Sequence, residues 1–364
     1  MRVILLGAGH IGQTIARLLH ASGDYAITVA DRNADSLDRL RAQHVNTLTL
    51  DIDQATQLTA ALHDHDAVIN ALPYQYAMQV ASLAKTANCH YFDLTEDVAA
   101  TRHIKQLAND ARTAFMPQCG LAPGFIGIVA HHLAKQFAQV DTVQMRVGAL
   151  PAFPTNSLKY NLTWSVDGLI NEYCHPCEAI HDGEAVELLP LEGLEHFSLD
   201  GVEYEAFNTS GGLGTLCETW AGKVRMLDYK SVRYPGHCEL MKMLLEDLQL
   251  KSDQETLKII LRRAVPATMQ DVVLVFVTVS GIKHGQLVQE VFARKVFADR
   301  NEVQPLSAIQ ITTAAGVCAA VDLFRQKKLP QQGFIRQEQI ALPEFLANRF
   351  GCAYQQSRHI ESIS

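Results

Sequence analysis

No stretch of this 364-residue chain approaches the roughly 18 apolar residues that a bilayer-spanning helix needs. Charge and glycine interrupt the N-terminal apolar run too early for a secretory leader, so a soluble, cytoplasmic protein is expected. Basic excess is missing as well. Lys and Arg number 31 against 39 Asp and Glu, a formal net charge of −8, and no basic stripe with interleaved aromatics occurs. That balance argues against broad nucleic-acid binding, which needs clustered cations to neutralise phosphates. Eight cysteines scattered from Cys89 to Cys352, without an exported context, make no disulfide framework. Their one close pair is Cys174-His175-Pro176-Cys177. It has no second CxxC at zinc-ribbon spacing and does not follow the first strand of a thioredoxin-like unit, so no metal is expected. Repeats, low-complexity segments and Ser- or Pro-rich linkers are also lacking. What remains is ordinary globular composition, 48% hydrophobic and 19% charged, at a length that suits two domains.

Among the features present, the first thirty-odd residues organise the rest. Arg2-Val3-Ile4-Leu5-Leu6 is an apolar run without polar alternation, as a strand buried on both faces would be. Gly7-Ala8-Gly9-His10-Ile11-Gly12 follows, then Ile15, Leu18 and Leu19 at helical spacing, and a second apolar run that ends in Asp31 and Arg32. Strand, glycine turn, helix, strand and acid together form a dinucleotide site. Gly7 permits the tight turn, Gly9 lets backbone approach a pyrophosphate, and Gly12 lets helix pack on strand. The helix N-terminus adds free N–H groups and the positive dipole end. Asp31, roughly twenty residues further on, can accept hydrogen bonds from the ribose hydroxyls. Its charge repels a 2′-phosphate and favours NAD, while Arg32 leaves NADP open.

Strand and helix then alternate to about residue 125, which predicts a parallel, doubly wound α/β sheet. Ligands bind such sheets at the carboxyl ends of the strands. Asp51, Ala71-Leu72-Pro73, Asp93 to Asp97 and Cys119-Gly120-Leu121 fall there. Glu96 and Asp97 read first as helix caps. Near residue 140 the pattern changes. Thr142 to Val147 alternates as a strand, and Val272 to Val279 with Leu287 to Phe297 reads as two long strands joined by a glycine turn. His237 to Leu248 and Gln254 to Arg263 read as helices. The expectation is an inserted α+β domain with a mainly antiparallel sheet over about 126–304. The nucleotide domain would comprise 1–125 and about 305–364, to which the small-residue helix Ser307 to Gln326 returns.

Three stretches of the second domain are too polar and aromatic to be simple core. They are Lys159 to Ser165, read as a strand with one wet face and carrying Tyr160, Asn161 and Trp164, then Asn208 to Leu216 with Thr209, and Asp228 to His237 with Lys230 and Arg233. Each residue alone has a structural explanation: Trp164 filling a gap, the glycines making a turn, His237 capping a helix. As a group they suit the lining of a site for a small polar substrate.

Across nearly the whole chain the sequence resembles the saccharopine dehydrogenase-like proteins, most of all lysine 6-dehydrogenases. The matching stretches are Gly7 to Gly12, Tyr91-Phe92-Asp93-Leu94, Cys119 to Gly124, Leu162-Thr163-Trp164-Ser165 and Arg233-Tyr234-Pro235-Gly236-His237. The resemblance implies a Rossmann-type domain joined to a sheet domain that mediates dimerisation, and a nicotinamide-dependent enzyme acting on a C–N bond of an amino acid or amine. It places Cys119, Gly120 and Leu121 beside the nicotinamide and turns the Trp-Ser and Arg-Tyr-Pro-Gly segments towards the cleft. Many saccharopine reductases carry an arginine two residues after that serine. Here the position is Asp167, which suits an ammonium group better than a carboxylate, or else caps a short helix.

The reaction expected is NAD(P)-dependent oxidation of an amine carbon to an imine. A base must first take a proton from the ammonium. His237, with an ordinary pKa near 6.5, is the least demanding choice, and Tyr160 and Lys230 are the others. Arg233 is the fork for the α-carboxylate, as planar guanidinium suits bidentate binding. The alternatives are reductive condensation of an amine with a keto acid, and a non-catalytic NAD(P)-binding redox sensor.

Overall fold

The computed structural model describes residues 1–299 and 305–355. Residues 300–304, at the expected domain boundary, and 356–364, at the end of the expected nucleotide domain, lie outside the described residues. In chain order the first elements are β1 (Arg2–Leu6), α1 (His10–Ala21), β2 (Ala26–Asp31), α2 (Ala34–Arg41), β3 (Asn46–Thr49), α3 (Ala55–His63), β4 (Ala67–Asn70), α4 (Ala77–Thr86), β5 (His90–Asp93), α5 (Val98–Ala108), β6 (Ala114–Met116) and α6 (Phe125–Ala134). Next come β7 (Gln139–Pro151), α7 (Val166–Cys174), β8 (Cys177–His181), β9 (Glu184–Leu188), β10 (Glu195–Leu199), β11 (Val202–Asn208), α8 (Leu216–Trp220), β12 (Met226–Arg233) and α9 (His237–Lys242). The last are α10 (Gln254–Ala264), β13 (Asp271–Lys283), β14 (Gln286–Phe297), α11 (Ala308–Arg325), β15 (Gly333–Phe334) and α12 (Leu342–Ala347). Two compact units result, Met1–Ile128 with Thr313–Ala353, and Val129–Thr312 with Tyr354–Ser364.

The first unit holds a seven-stranded parallel sheet in the order β15-β6-β5-β4-β1-β2-β3. Val3 to Leu6 are fully buried, as a strand covered by helices on both faces must be. Helices form where apolar residues recur every three or four positions: α1 buries Ile15, Ala16 and Leu19, and α5 buries Ala100, Ile104 and Ala108. Asp97 caps α5 by accepting the Ala100 N–H at 2.6 Å, the role expected of it. Strand order reverses between β1 and β4, which puts the glycine turn at the switch point of the sheet.

The second unit is built on a mixed sheet, β10-β11-β12-β7-β13-β14, with β8 and β9 branching from β12. Every pairing in it is antiparallel except β7 with β12. The strand expected over Thr142 to Val147 extends to thirteen residues. Lys159 to Ser165 forms no strand. Lys159 has φ +48°, the Asn156 side chain takes the Tyr160 carbonyl at 2.6 Å, and only Leu162 makes an isolated bridge, to Ala267. The helix expected from His237 to Leu248 is six residues of α-helix followed by a π-helical turn, Met243–Asp247. α11 also corrects the sequence reading: by length and composition it could cross a membrane. It is 83% buried, as a core helix of a globular protein is.

Candidate functional site

In the first unit the glycine turn has the form a pyrophosphate needs. Gly7 sits at φ +104°, and a Cβ there would lie 2.9 Å from the Ala71 carbonyl oxygen. A Cβ on Gly12 would lie 2.0 Å from the Gly7 oxygen, so only glycine lets α1 start against β1. Above Gly9 the space is open, with nothing within 4 Å of a built Cβ. Gly9 and His10 are exposed and Ile11 is half-buried. No side chain caps α1, and no acid stands in its first turn. A helix end with N–H groups and a positive dipole left unanswered by the chain fits a bound dinucleotide phosphate.

Asp31 ends β2 as expected, but its carboxylate also braces the turn. Oδ2 accepts the Ala8 N–H at 2.7 Å and Oδ1 the Asn33 N–H at 2.8 Å. Arg32 beside it is exposed. Asp51, half-buried after β3, accepts the Asp53 N–H at 3.1 Å. Ala71, Leu72 and Pro73 leave β4, where the Leu72 N–H bonds the Asn70 side chain at 3.2 Å. Cys119 and Leu121 are buried in the turn after β6, as is Gly120. Asp93 anchors this turn. Its Oδ1 accepts from the Gln118 and Thr95 N–H groups at 2.8 and 3.0 Å, and its Oδ2 from the Tyr91 hydroxyl at 2.6 Å. Complete burial raises the Asp93 pKa to about 6 and pushes the Cys119 thiol far up.

In the second unit Tyr160, Trp164, Arg233 and His237 come together around Tyr173. The Arg233 Nε–H donates to the Tyr173 hydroxyl oxygen at 2.9 Å, and Nη1 to the Val232 carbonyl at 2.8 Å. Its guanidinium carbon lies 5.1 Å from the Tyr160 ring centre and 5.7 Å from that of Tyr173. Only 3% of Arg233 is exposed; among the described residues no carboxylate lies within ion-pair distance, and the buried Glu172 charge acts on it from further off. The Tyr173 hydroxyl pairs with His237 Nε2 at 3.1 Å, and His237 Nδ1 faces the Leu158 carbonyl at 2.9 Å. A carbonyl only accepts, so the proton sits on Nδ1, and Nε2 accepts from Tyr173. Tyr160 takes the Trp164 indole N–H at 3.1 Å. The Oδ1 atoms of Asn161 and Asn171 are buried without a partner among the described residues.

Several expected roles do not survive this geometry. His237 is 1% exposed, both its nitrogens are engaged, and burial with the nearby Arg233 charge lowers its pKa to about 3. It is a neutral link rather than a base ready near pH 6.5. Lys230 donates to the Gly193 carbonyl at 2.6 Å and the Glu195 carboxylate at 2.7 Å, so its ammonium is engaged within the unit. Burial raises the Tyr160 pKa, the wrong direction for a base. Asp167 faces Lys258 and Arg262 of α10, both at 2.9 Å, so its charge is answered within the unit. Nor does it cap α7, since Ser165 does. Thr209 is buried, and its hydroxyl pairs with that of Ser231 at 2.8 Å. Sequence reasoning missed Tyr173, which no motif in the chain singles out. It also missed Glu205, whose two oxygens accept the Gly236 and Cys238 N–H groups at 2.7 and 2.6 Å and fix the turn after β12.

A parallel sheet with an uncapped glycine-turn helix, followed in one chain by a mixed-sheet unit, defines a Rossmann-type dinucleotide-binding protein. Residues 3–116 match the saccharopine dehydrogenase NADP binding domain and residues 120–350 the saccharopine dehydrogenase C-terminal domain. The chain belongs to the saccharopine dehydrogenase family. Among its relatives, the saccharopine dehydrogenase [NADP(+), L-glutamate-forming] of Pyricularia oryzae is 25% identical over 276 residues, 72% of this chain and 60% of that protein. The mitochondrial alpha-aminoadipic semialdehyde synthase of Mus musculus is 23% identical over 195 residues, 51% of this chain and 21% of that protein. These matches therefore span less than two thirds of either relative. The fold matches apo saccharopine dehydrogenase (L-Glu forming) from Saccharomyces cerevisiae at TM-score 0.78 and 17% identity, over 94% of this chain and 96% of that one. It also matches homospermidine synthase from Legionella pneumophila in complex with NAD at TM-score 0.70 and 14% identity, over 97% and 89%.

Proposed function

We propose that this protein is an NAD(P)-dependent oxidoreductase acting on a C–N bond of an amino acid, with Arg233 holding the substrate's α-carboxylate. The observation that carries the reading is the buried Arg233 guanidinium with no carboxylate at ion-pair distance among the described residues, the Glu172 charge acting only from further off. Such a charge is costly to enclose unless an anion joins it. Tyr173 and His237 fix the plane of the fork, and the unpartnered Asn161 Oδ1 suits an amine donor. With the coenzyme's pyrophosphate at Gly7 to Gly12 and its nicotinamide beside Cys119 to Leu121, the nicotinamide would accept a hydride from the carbon bearing nitrogen, leaving an imine on the substrate. None of His237, Tyr160 and Lys230 serves as the base in this reading, and the amine enters already neutral or loses its proton to water.

Asp167 is paired with Lys258 and Arg262 of α10 and offers no free carboxylate to a lysine side-chain ammonium. Lysine 6-dehydrogenase activity remains one substrate choice. The second reading is reductive condensation of an amine with a keto acid; the fungal relatives' name, saccharopine dehydrogenase [NADP(+), L-glutamate-forming], gives the oxidative direction of C–N chemistry. A panel of amino acids, diamines and keto acids with both coenzymes tests the proposal. Amine-dependent reduction of NAD(P) supports it, and coenzyme binding without turnover of any substrate would leave the redox-sensor reading instead. Arg233→Lys should raise KM for amino acids about tenfold or more and leave decarboxylated amines little affected. NAD is the expected coenzyme, with NADP possible. Asp31→Ser should move preference towards NADP while weakening both, because the brace on the Ala8 N–H goes with it. The setting we infer is a cytoplasmic homodimer with a small-molecule substrate, which sedimentation of the purified chain checks.

A further inference from the structure

The turn from Pro117 to Gly124 is clamped from several directions, one of them unrelated to any dinucleotide motif. Gln118 stands at φ +66°, a conformation that side-chain-bearing residues hold only when surroundings impose it. Asp93 holds one side, with its Oδ1 on the Gln118 N–H and its carbonyl accepting the Cys119 N–H at 2.8 Å. On another side Gly316 of α11 has no room for a Cβ, which would lie 2.7 Å from the Cys119 oxygen and 2.8 Å from that of Gly120. The last clamp is Gln337, 6% exposed, in a 3-10 turn of the C-terminal segment. Its Nε2 donates to the Pro117 carbonyl at 2.8 Å and to the Cys119 sulfur at 3.2 Å. One carboxamide thus brackets the strained Gln118 from both neighbours.

We propose that Gln337 is a positioning residue for the reaction, acting through Pro117 and Cys119 to hold the turn against which the nicotinamide lies. The inference rests on the functional reading above for the identity of what lies there. The clamp itself rests on the geometry of one unit. Cys119 spends its own S–H on the Met116 carbonyl at 3.1 Å, so the Gln337 N–H is the donor that the sulfur receives. Without it the Pro117 carbonyl keeps only the long 3.9 Å contact from the Cys119 sulfur and that sulfur loses its donor, which frees the turn at the place where Gln118 is strained.

The test uses the full-length purified protein with Gln337→Leu, which keeps bulk and removes both donors, and Gln337→Glu. In the coenzyme-free protein, iodoacetamide labelling of Cys119, followed by peptide mass spectrometry, should accelerate about tenfold in the leucine variant. In turnover with the best substrate of the panel, kcat should fall roughly ten- to hundredfold, the scale of a small misplacement, while the dissociation constant for reduced coenzyme stays within about twofold. The glutamate variant can donate only when protonated, so its kcat relative to wild type should recover as pH falls, and that of the leucine variant should not. A merely structural role would lower thermal stability without that pH-dependent recovery. Should the leucine variant fail to fold, the glutamate variant's labelling rate and pH profile decide alone. Unchanged labelling with unchanged kcat overturns the proposal. Faster labelling in a protein that turns over no amine keeps Gln337 as the clamp and removes the C–N reading.

Discussion

His237 and Asp93 are both buried and shifted, and their effects on stability run in opposite directions. The His237 pKa is lowered to about 3 by burial and the Arg233 charge, so the unfolded chain binds its proton more readily. Its contribution is complete above the ordinary value near 6.5 and is lost as pH falls towards 3. Asp93 is raised to about 6, so its contribution is complete below about 4 and is lost as pH rises through 6. That loss is on the order of 3 kcal/mol for the two-unit shift. Asp93→Asn can keep both N–H acceptances on Oδ1, and it should remove the rise in stability that Asp93 supplies between pH 7 and pH 5. Urea melts of both proteins at the two pH values check this. For His237, imidazole NMR signals should show no titration between pH 5 and 8. His237→Gln should raise the amino acid KM without erasing a limb of the kcat profile, and loss of the acidic limb would restore the base role. Gly7 and Gly12 were legible from sequence because steric demands on a turn are local. The partners of His237, Leu158 and Tyr173, are set by tertiary packing, and no spacing in the chain announces them.

Between elements, the same distinction separates what pattern reveals from what packing decides. The β13–β14 hairpin is readable from apolar runs flanking a glycine turn, and Gly285 at φ +78° sits in that turn. The segment from Lys159 to Ser165 alternates just as well, but local side-chain bonds from Asn156 take its backbone out of the sheet. Asp167 looked like a substrate contact because the sequence could not show α10 packing beside α7. Its pairs with Lys258 and Arg262 are part-exposed, so Asp167→Asn should cost at most about 1 kcal/mol in a denaturant melt and leave substrate KM unchanged. Glu205 lies opposite Arg233 across β11 and β12 and ties the following turn with both oxygens. Glu205→Ala leaves two amide donors unanswered and should cost about 2–5 kcal/mol in the same measurement.

At the scale of the whole chain, the first unit depends on residues from both ends of the sequence. Asp322 on α11 is fully buried and accepts from Tyr25 at 2.7 Å, Asn348, Arg349 and Gln326 at 2.8 Å and Arg325 at 3.1 Å. Asp322→Ala removes one carboxylate from five donors and should cost about 3–5 kcal/mol, read from chemical unfolding. The chain passes between units at Ile128–Val129, inside α6, at Thr312–Thr313, inside α11, and at Ala353–Tyr354, inside a 3-10 turn. At none of these three crossings is there a linker peptide. A gene cut to express one unit alone would begin or end in mid-helix, exposing turns whose amides or carbonyls had lost their partners. The two units are therefore separable in description, but not with scissors.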